Sequence, residues 1–159
     1  MRKHQPPPPA LDSAQVIAYA IVDRTVRWTG KQVLLVDGER LGPVARLAIC
    51  RNVFGERDDY LIFHCDARWN VKGVAGGPSV PECKARAERW YAGLSARWIN
   101  TNTTLKQAKQ WLREKSAGFE CSFCGNLPAQ TDGMFSQRKA NVCFSCVRAM
   151  HATLSNNAA

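Results

Sequence analysis

Cysteine is the residue type whose spacing in this sequence most clearly indicates chemistry. Cys121 and Cys124 form one C-x2-C pair, Cys143 and Cys146 form another, and 18 residues separate the inner members. Two such pairs at this separation are typical of structural zinc sites, in which four thiolates surround one ion. Because four protein ligands leave no position for water, we expect one structural Zn²⁺ per chain that activates no hydroxide. Gly125 would relieve backbone strain where the first pair turns.

Two other interpretations of these cysteines are a redox C-x-x-C motif and an accidental pattern. A redox motif requires one pair in a βαβ setting, whereas this chain has two pairs. The remaining cysteines, Cys50, Cys65 and Cys83, lie in apolar patterns and are expected to be small buried hydrophobes. His64 precedes Cys65, but neighbours on a strand point to opposite faces, so we predict no nucleophile–base pair there.

Composition and charge limit the class of protein. The chain has 159 residues, of which 45% are hydrophobic, and a formal charge of +9. No apolar run has the roughly 18–20 residues of a membrane span, and residues 14–22 make a poor signal sequence after a proline run. An odd number of cysteines, four of them in regular pairs, favours a reducing compartment over a disulfide framework. We therefore predict a cytoplasmic protein without membrane partners.

The first part of the chain predicts an α+β domain. Residues 1–13 contain four consecutive prolines and are expected to form a disordered tail. Residues 14–77 combine β-branched runs with turn residues and predict a small, mainly antiparallel sheet. Ser79 begins a helix with Glu82 at capping-box spacing, and its apolar stripe should pack on the sheet. We place this domain at residues 14–100.

A second helix is predicted to connect this domain to the cysteine pairs, over residues 101–118. Thr103 or Thr104 would cap it and Gly118 would end it. Its outer side carries three cations, which could contact phosphates or simply form a solvated face. The possible phosphate contacts in the whole chain are Lys106, Lys109, Arg113, Arg138, Lys139 and Arg148.

The cysteine segment resembles a known zinc module. "CSFCGN" at residues 121–126 and "CFSCVRAM" at residues 143–150, with an apolar residue before the third cysteine, are similar to the C4 zinc-binding domain of the ClpX unfoldase. The resemblance covers about 35 residues and departs from the family at Gln137–Arg138. It implies a treble-clef fold at residues 119–155, which in that family dimerises and binds adaptors and substrates.

The rest of the chain does not follow that family. The sequence has no G-x-x-x-x-G-K-[ST] motif, so we expect no ATP hydrolysis through a P-loop. The first 115 residues resemble no family that we can name, and residues 156–159 are expected to form a short tail.

Three classes of function remain, and we favour an interaction protein. A module this small buries little surface, so some of its apolar side chains should meet a partner or a second copy. The alternative is that they pack within the finger or on the first domain. A nucleic-acid-binding or regulatory zinc finger is the second interpretation, and an enzyme the third, because we find no catalytic constellation. The candidate partner-binding residues are Phe123, Leu127, Met134, Phe135, Phe144 and Val147.

Overall fold

The computed structural model describes residues 5–54, 59–137 and 140–156. The chain divides into two compact units, residues 1–109 and 110–159. The division lies inside the helix that the sequence predicts over residues 101–118.

An antiparallel sheet of six strands forms the centre of the first unit. The strand order is β1 (Ala10–Leu11), β2 (Ala14–Ile21), β6 (Arg46–Asn52), β7 (Tyr60–Cys65) and β8 (Val71–Gly77), and β10 (Ile99–Asn100) also pairs with β2. This confirms the mixed sheet-and-helix fold class. The other strands of the unit are short: β3 (Arg27–Trp28), β4 (Leu35–Val36), β5 (Glu39–Arg40) and β9 (Tyr91–Ala92).

Helix α1 (Val80–Trp90) covers one face of this sheet. It begins as the sequence predicts, because the Ser79 side chain accepts a hydrogen bond from the backbone N–H of Glu82. Cys83 and Ala87 are buried on its inner side. They pack with alternate residues of β6 and β7, and the core on this face consists of Ala20, Val26, Leu47, Ile49, Ile62, Cys83, Ala87, Tyr91 and Leu94.

The opposite face has a second core made by the intervening residues of the same strands. Its members are Leu11, Ala14, Val16, Ala48, Cys50, Phe63, Cys65 and Trp69. The period-two alternation of strand side chains therefore supplies both cores. Cys50, Cys65 and Cys83 are buried with free thiols, as their apolar settings indicate.

The proline-rich segment is more ordered than predicted. We expected residues 1–13 to be a disordered tail, but Ala10 and Leu11 form β1 on the edge of β2, and both are buried. The Gln5 carbonyl accepts hydrogen bonds from Arg46 Nη1 at 2.9 Å and from Trp69 Nε1 at 3.0 Å. Prolines lack N–H donors but keep carbonyl acceptors, so this segment can still be fixed by donors of the sheet. Residues 1–4 lie outside the described part of the chain.

Two short ribbons accompany the main sheet, and their pairing was not predicted. β3 pairs with β9 directly after α1, and β4 pairs with β5. Inside the loop before β4, Gln32 is fully buried although its flanking residue Val33 is 78% exposed. The Arg40 side chain ties this loop together by donating to the Gln32 carbonyl at 2.6 and 2.9 Å.

His64 is a fully buried histidine in the middle of β7. Its ring lies 5.5 Å from that of Trp90, and neither ring nitrogen has a hydrogen-bond partner among the residues that the structure describes. Burial lowers the pKa of His64 to about 4, although the neighbouring backbone of Gly73 and Ile62 opposes the shift. The neutral imidazole is therefore the form that the folded unit accommodates.

We predict that His64 makes the first unit less stable at acid pH. The unfolded chain protonates this histidine near pH 6.5 and the folded unit only near pH 4, so stability is present above pH 6.5 and is lost as the pH falls towards 4. The expected slope is up to about 1.4 kcal/mol per pH unit. Urea unfolding across this range should show a smaller slope for His64→Phe. The control His151→Phe replaces an exposed histidine and should keep the native slope. An unchanged slope in His64→Phe would contradict the assignment of the pH dependence to His64.

The second unit contains most of α2, a two-stranded ribbon and a C-terminal helix. Their bounds are α2 (Leu105–Lys115), β11 (Met134–Gln137), β12 (Ala140–Cys143) and α3 (Phe144–Asn156). Thr104 caps α2: its hydroxyl accepts from Gln107 N, and the Gln107 side chain accepts from Thr104 N. Gly118 has a φ of +85°, which suits the end of a helical segment. Among the described residues, no helix combines the length and apolar character of a membrane span.

Candidate metal centre

The first cysteine pair lies on a tight backbone turn. Gly125 N donates to the Cys121 carbonyl at 2.8 Å, and Cys121 N donates to the Asn126 carbonyl at 2.9 Å. Gly125 has a φ of +73°, a conformation that glycine adopts without the penalty of a side chain. This positive φ confirms the prediction that a glycine relieves backbone strain after Cys124. The turn brings both sulfurs of the pair to one side.

The second pair lies where β12 passes into α3. Cys143 is the last residue of β12, and Cys146 lies in the first turn of α3. Cys146 N donates to Cys143 Sγ at 3.5 Å. The N-terminus of a helix favours negative charge through its free N–H groups, so it is a suitable place for thiolates.

The two pairs meet at one point. All four Sγ atoms lie within 4.8 Å of one another. Cys121 Sγ lies 3.8 Å from Cys146 Sγ, and Cys124 Sγ lies 3.7 Å from Cys143 Sγ. A tetrahedral ion with metal–sulfur bonds of about 2.3 Å requires sulfur–sulfur distances of about 3.8 Å. The four thiols therefore form a cluster that can hold one metal ion.

The electrostatics of the cluster favour a bound cation. The pKa of Cys121 is lowered to about 6, first because the backbone N–H of Cys143 donates to its sulfur at 3.4 Å. The pKa of Cys146 is raised to about 12, chiefly by the neighbouring sulfurs of Cys143 and Cys124. One thiolate is thus favoured, whereas four in this space repel one another. A divalent ion would remove that repulsion and hold all four deprotonated.

Asn141 connects the two halves of the site and was not identified from the sequence. Its Nδ2 donates to the Gly118 carbonyl at 2.9 Å. Its backbone carbonyl accepts from Ser122 N at 2.7 Å, and its N–H donates to Ser122 Oγ at 3.1 Å. These bonds hold β12 against the first turn. A single asparagine between strand residues gives no spacing signal, so only the structure shows this role.

The candidate partner-binding side chains fall into three groups. Phe123 and Phe135 are 64% and 61% exposed, and Val147 is exposed at 36%. Met134 and Phe144 are half-buried. Leu127 is only 4% exposed, so its nomination as a partner contact does not fit the structure. It fills the interior of the unit after the first turn, where an apolar side chain is most stable.

Two exposed apolar residues of this unit were missed. Phe119 precedes the first cysteine pair and is 59% exposed, and Leu154 is 72% exposed near the end of α3. Leu154 lies seven residues after Val147, which places both on one side of the helix. Helical spacing from Val147 could have identified Leu154, whereas nothing in the pattern distinguishes Phe119.

The predicted phosphate contacts have different settings in the part of the chain that the structure describes. Lys106 and Arg113 are exposed on α2, and Lys109 is half-buried. Arg148 is engaged by Asp132, with Nη2 and Oδ2 2.8 Å apart. The remaining two candidates, Arg138 and Lys139, lie outside the part of the chain that the structure describes.

Fold and cluster together define this chain as an α+β protein with a candidate four-cysteine metal centre. Comparisons with protein-family models, with curated proteins and with solved structures found no match. The resemblance of residues 119–155 to the ClpX finger therefore remains a prediction that rests on the cysteine segment alone.

Proposed function

We propose that the second unit is a C4 zinc finger of treble-clef type, with one Zn²⁺ bound by Cys121, Cys124, Cys143 and Cys146. The observation that carries this proposal is the convergence of the four sulfurs, at separations of 3.7 and 3.8 Å across the site. Four sulfurs in a tetrahedral arrangement suit zinc or an iron–sulfur centre, and the spacing of the pairs favours zinc. The order of turn, ribbon and helix supports the treble clef.

The role of the metal would be structural. Helix α3 has no buried residue, and two of the four buried residues that the structure describes in this unit are cysteines. So small a core supplies little hydrophobic stabilisation. Metal binding would supply the difference, and this closed site leaves no position for a reacting water. We therefore propose a role that is not enzymatic.

We further propose that the finger binds protein, either a second copy of the chain or an adaptor or substrate protein. The support is the number of exposed apolar side chains on so small a unit: Phe119, Phe123, Phe135, Val147, Met150 and Leu154. Exposed apolar groups in such density are typical of protein contact surfaces. The ClpX resemblance favours the same role.

This role predicts that Phe123→Ser weakens association while zinc stays bound. Phe123 is 64% exposed, so its loss should leave the fold intact. A central aromatic contact contributes about 2 kcal/mol, which corresponds to about a 30-fold weaker Kd. Sedimentation equilibrium and pull-down from extract would measure self-association and capture. Val33→Ser, at a site 78% exposed in the first unit, is the matched control, and equal behaviour of the two variants would contradict the proposal.

The alternative is a zinc finger that binds nucleic acid. It is favoured by the charge of +9 and by Lys106 and Arg113, which are exposed on α2. The one carboxylate of that helix, Glu114, accepts from Gln110 Nε2 at 2.9 Å. Phosphate binding weakens steeply with salt, whereas apolar contact does not. Oligonucleotide binding that survives physiological salt and is lost in Lys106→Gln/Arg113→Gln would favour this alternative.

A further inference from the structure

The four cysteines of the metal centre differ sharply in their exposure to solvent. Cys143 is completely buried, and Cys121 is 2% exposed. Cys146 is half-buried, whereas Cys124 is exposed. The three cysteines of the first unit are all buried, so solvent reaches one thiol of the seven freely. A dissolved oxidant would therefore meet Cys124 first.

The inner sulfurs are also shielded by hydrogen bonds. Cys121 Sγ accepts from Cys143 N at 3.4 Å, and Cys143 Sγ accepts from Cys146 N at 3.5 Å. Such bonds withdraw charge from a thiolate and reduce its reactivity towards a small oxidant. Exposure is what distinguishes Cys124 from Cys121 and Cys143, and exposed thiolates are the ones that oxidants reach first.

The exposed sulfur has a buried neighbour that can complete its oxidation. Cys124 Sγ lies 3.7 Å from Cys143 Sγ, so a disulfide requires a short movement. We propose that the metal centre is a peroxide-sensitive switch, in which Cys124 is oxidised first and Cys143 forms a disulfide with it. This inference rests on the proposed zinc centre.

The chemistry uses one molecule of hydrogen peroxide, which is the oxidant. The Cys124 thiolate attacks a peroxide oxygen, so an S–O bond forms, the O–O bond breaks and hydroxide leaves. The Cys143 thiolate then attacks the sulfenic sulfur, an S–S bond forms and a second hydroxide leaves. Two thiolates lose two electrons, one peroxide gains them, and two protons from solvent complete two waters.

The consequence is loss of the metal and of order in the second unit. Two of the four ligands become a neutral disulfide, and the remaining two thiolates hold Zn²⁺ far more weakly. Because so little of the unit is buried without the metal, residues 119–155 should then unfold. A disulfide that thioredoxin-type reductants can reach would make the change reversible.

The test uses the native, zinc-loaded chain and hydrogen peroxide. Zinc release is followed with a chromogenic chelator, and disulfides are mapped by peptide mass spectrometry after alkylation of free thiols. We expect zinc release in step with a Cys124–Cys143 disulfide, while Cys50, Cys65 and Cys83 remain free. A dithiol and added zinc should restore the metal content.

A variant pair separates the roles of the two cysteines. Cys124→His keeps four zinc ligands but removes the exposed thiolate, so peroxide should release its zinc several-fold more slowly than in the native chain. Cys143→His keeps Cys124, which should still be oxidised. Each variant is first checked for one zinc per chain. If a variant fails to bind zinc, the disulfide map of the native chain tests the inference in its place.

Two results would overturn the inference, and they can be told apart. A chain that binds no zinc on purification fails before any peroxide is added, and it removes the proposed function as well. A zinc-loaded chain that loses zinc without a Cys124–Cys143 disulfide, or in which a first-unit cysteine is oxidised first, overturns the switch alone.

Discussion

Cys143→Ser should unfold the second unit and leave the first unit folded. Cys143 is completely buried at the end of β12, and its sulfur is 3.7 Å from that of Cys124. Serine cannot replace a thiolate ligand, and structural zinc contributes on the order of 10 kcal/mol in small fingers. The apolar core of the second unit is too small to compensate. Amide exchange should show loss of protection across residues 119–155 and retention across residues 14–100.

Two controls accompany this variant. Removal of metal from the native chain by a chelator should reproduce the same exchange pattern. Cys83→Ala, which changes a buried cysteine of the first unit, should leave residues 119–155 protected. Protection lost across both units in Cys143→Ser would show that they do not fold independently, and protection retained everywhere would show that the metal is not structural.

Ile62→Ala should have the opposite pattern, with a large effect on the first unit only. Ile62 is fully buried at the centre of β7, opposite Ile49 on β6 and Ala75 on β8. Truncation of a buried isoleucine costs about 2–5 kcal/mol, because the surrounding structure relaxes only partly around the cavity. Urea unfolding monitored by exchange in β6 and β7 would measure this loss, and zinc content should stay unchanged.

The matched control for this truncation is Ile99→Ala. Ile99 lies on β10 and is 50% exposed, so its truncation should change stability by no more than about 0.5 kcal/mol. If Ile62→Ala destabilised the first unit as little as this control, the core as described would be wrong. If it released zinc, the two units would be coupled.

The parts of the fold that the sequence predicted are those with a strong local signal. Ser79 and Glu82 mark the start of α1 because capping chemistry acts over three residues. The β-branched and apolar runs within residues 14–77 predicted an antiparallel sheet, and the structure has one, with β7 buried on both faces. The cysteine spacing predicted one cluster, since two knuckles can approach a common centre wherever the chain between them allows.

The parts that were missed depend on distant partners. β1 exists because β2 presents an edge to Ala10 and Leu11, and the proline run before it gives no sign of that edge. The burial of Gln32 depends on how its loop lies, which no local pattern encodes. The exposed apolar side chains of the second unit were only partly predicted for the same reason, since apolar type alone does not separate buried Leu127 from exposed Phe123.

The central claim, a four-cysteine zinc centre, is tested most directly by elemental analysis combined with X-ray absorption at the zinc edge on the purified chain. We expect one zinc per chain and four sulfur neighbours at about 2.3 Å. Substoichiometric zinc in a folded second unit, or oxygen or nitrogen among the atoms bound to the zinc, would contradict it.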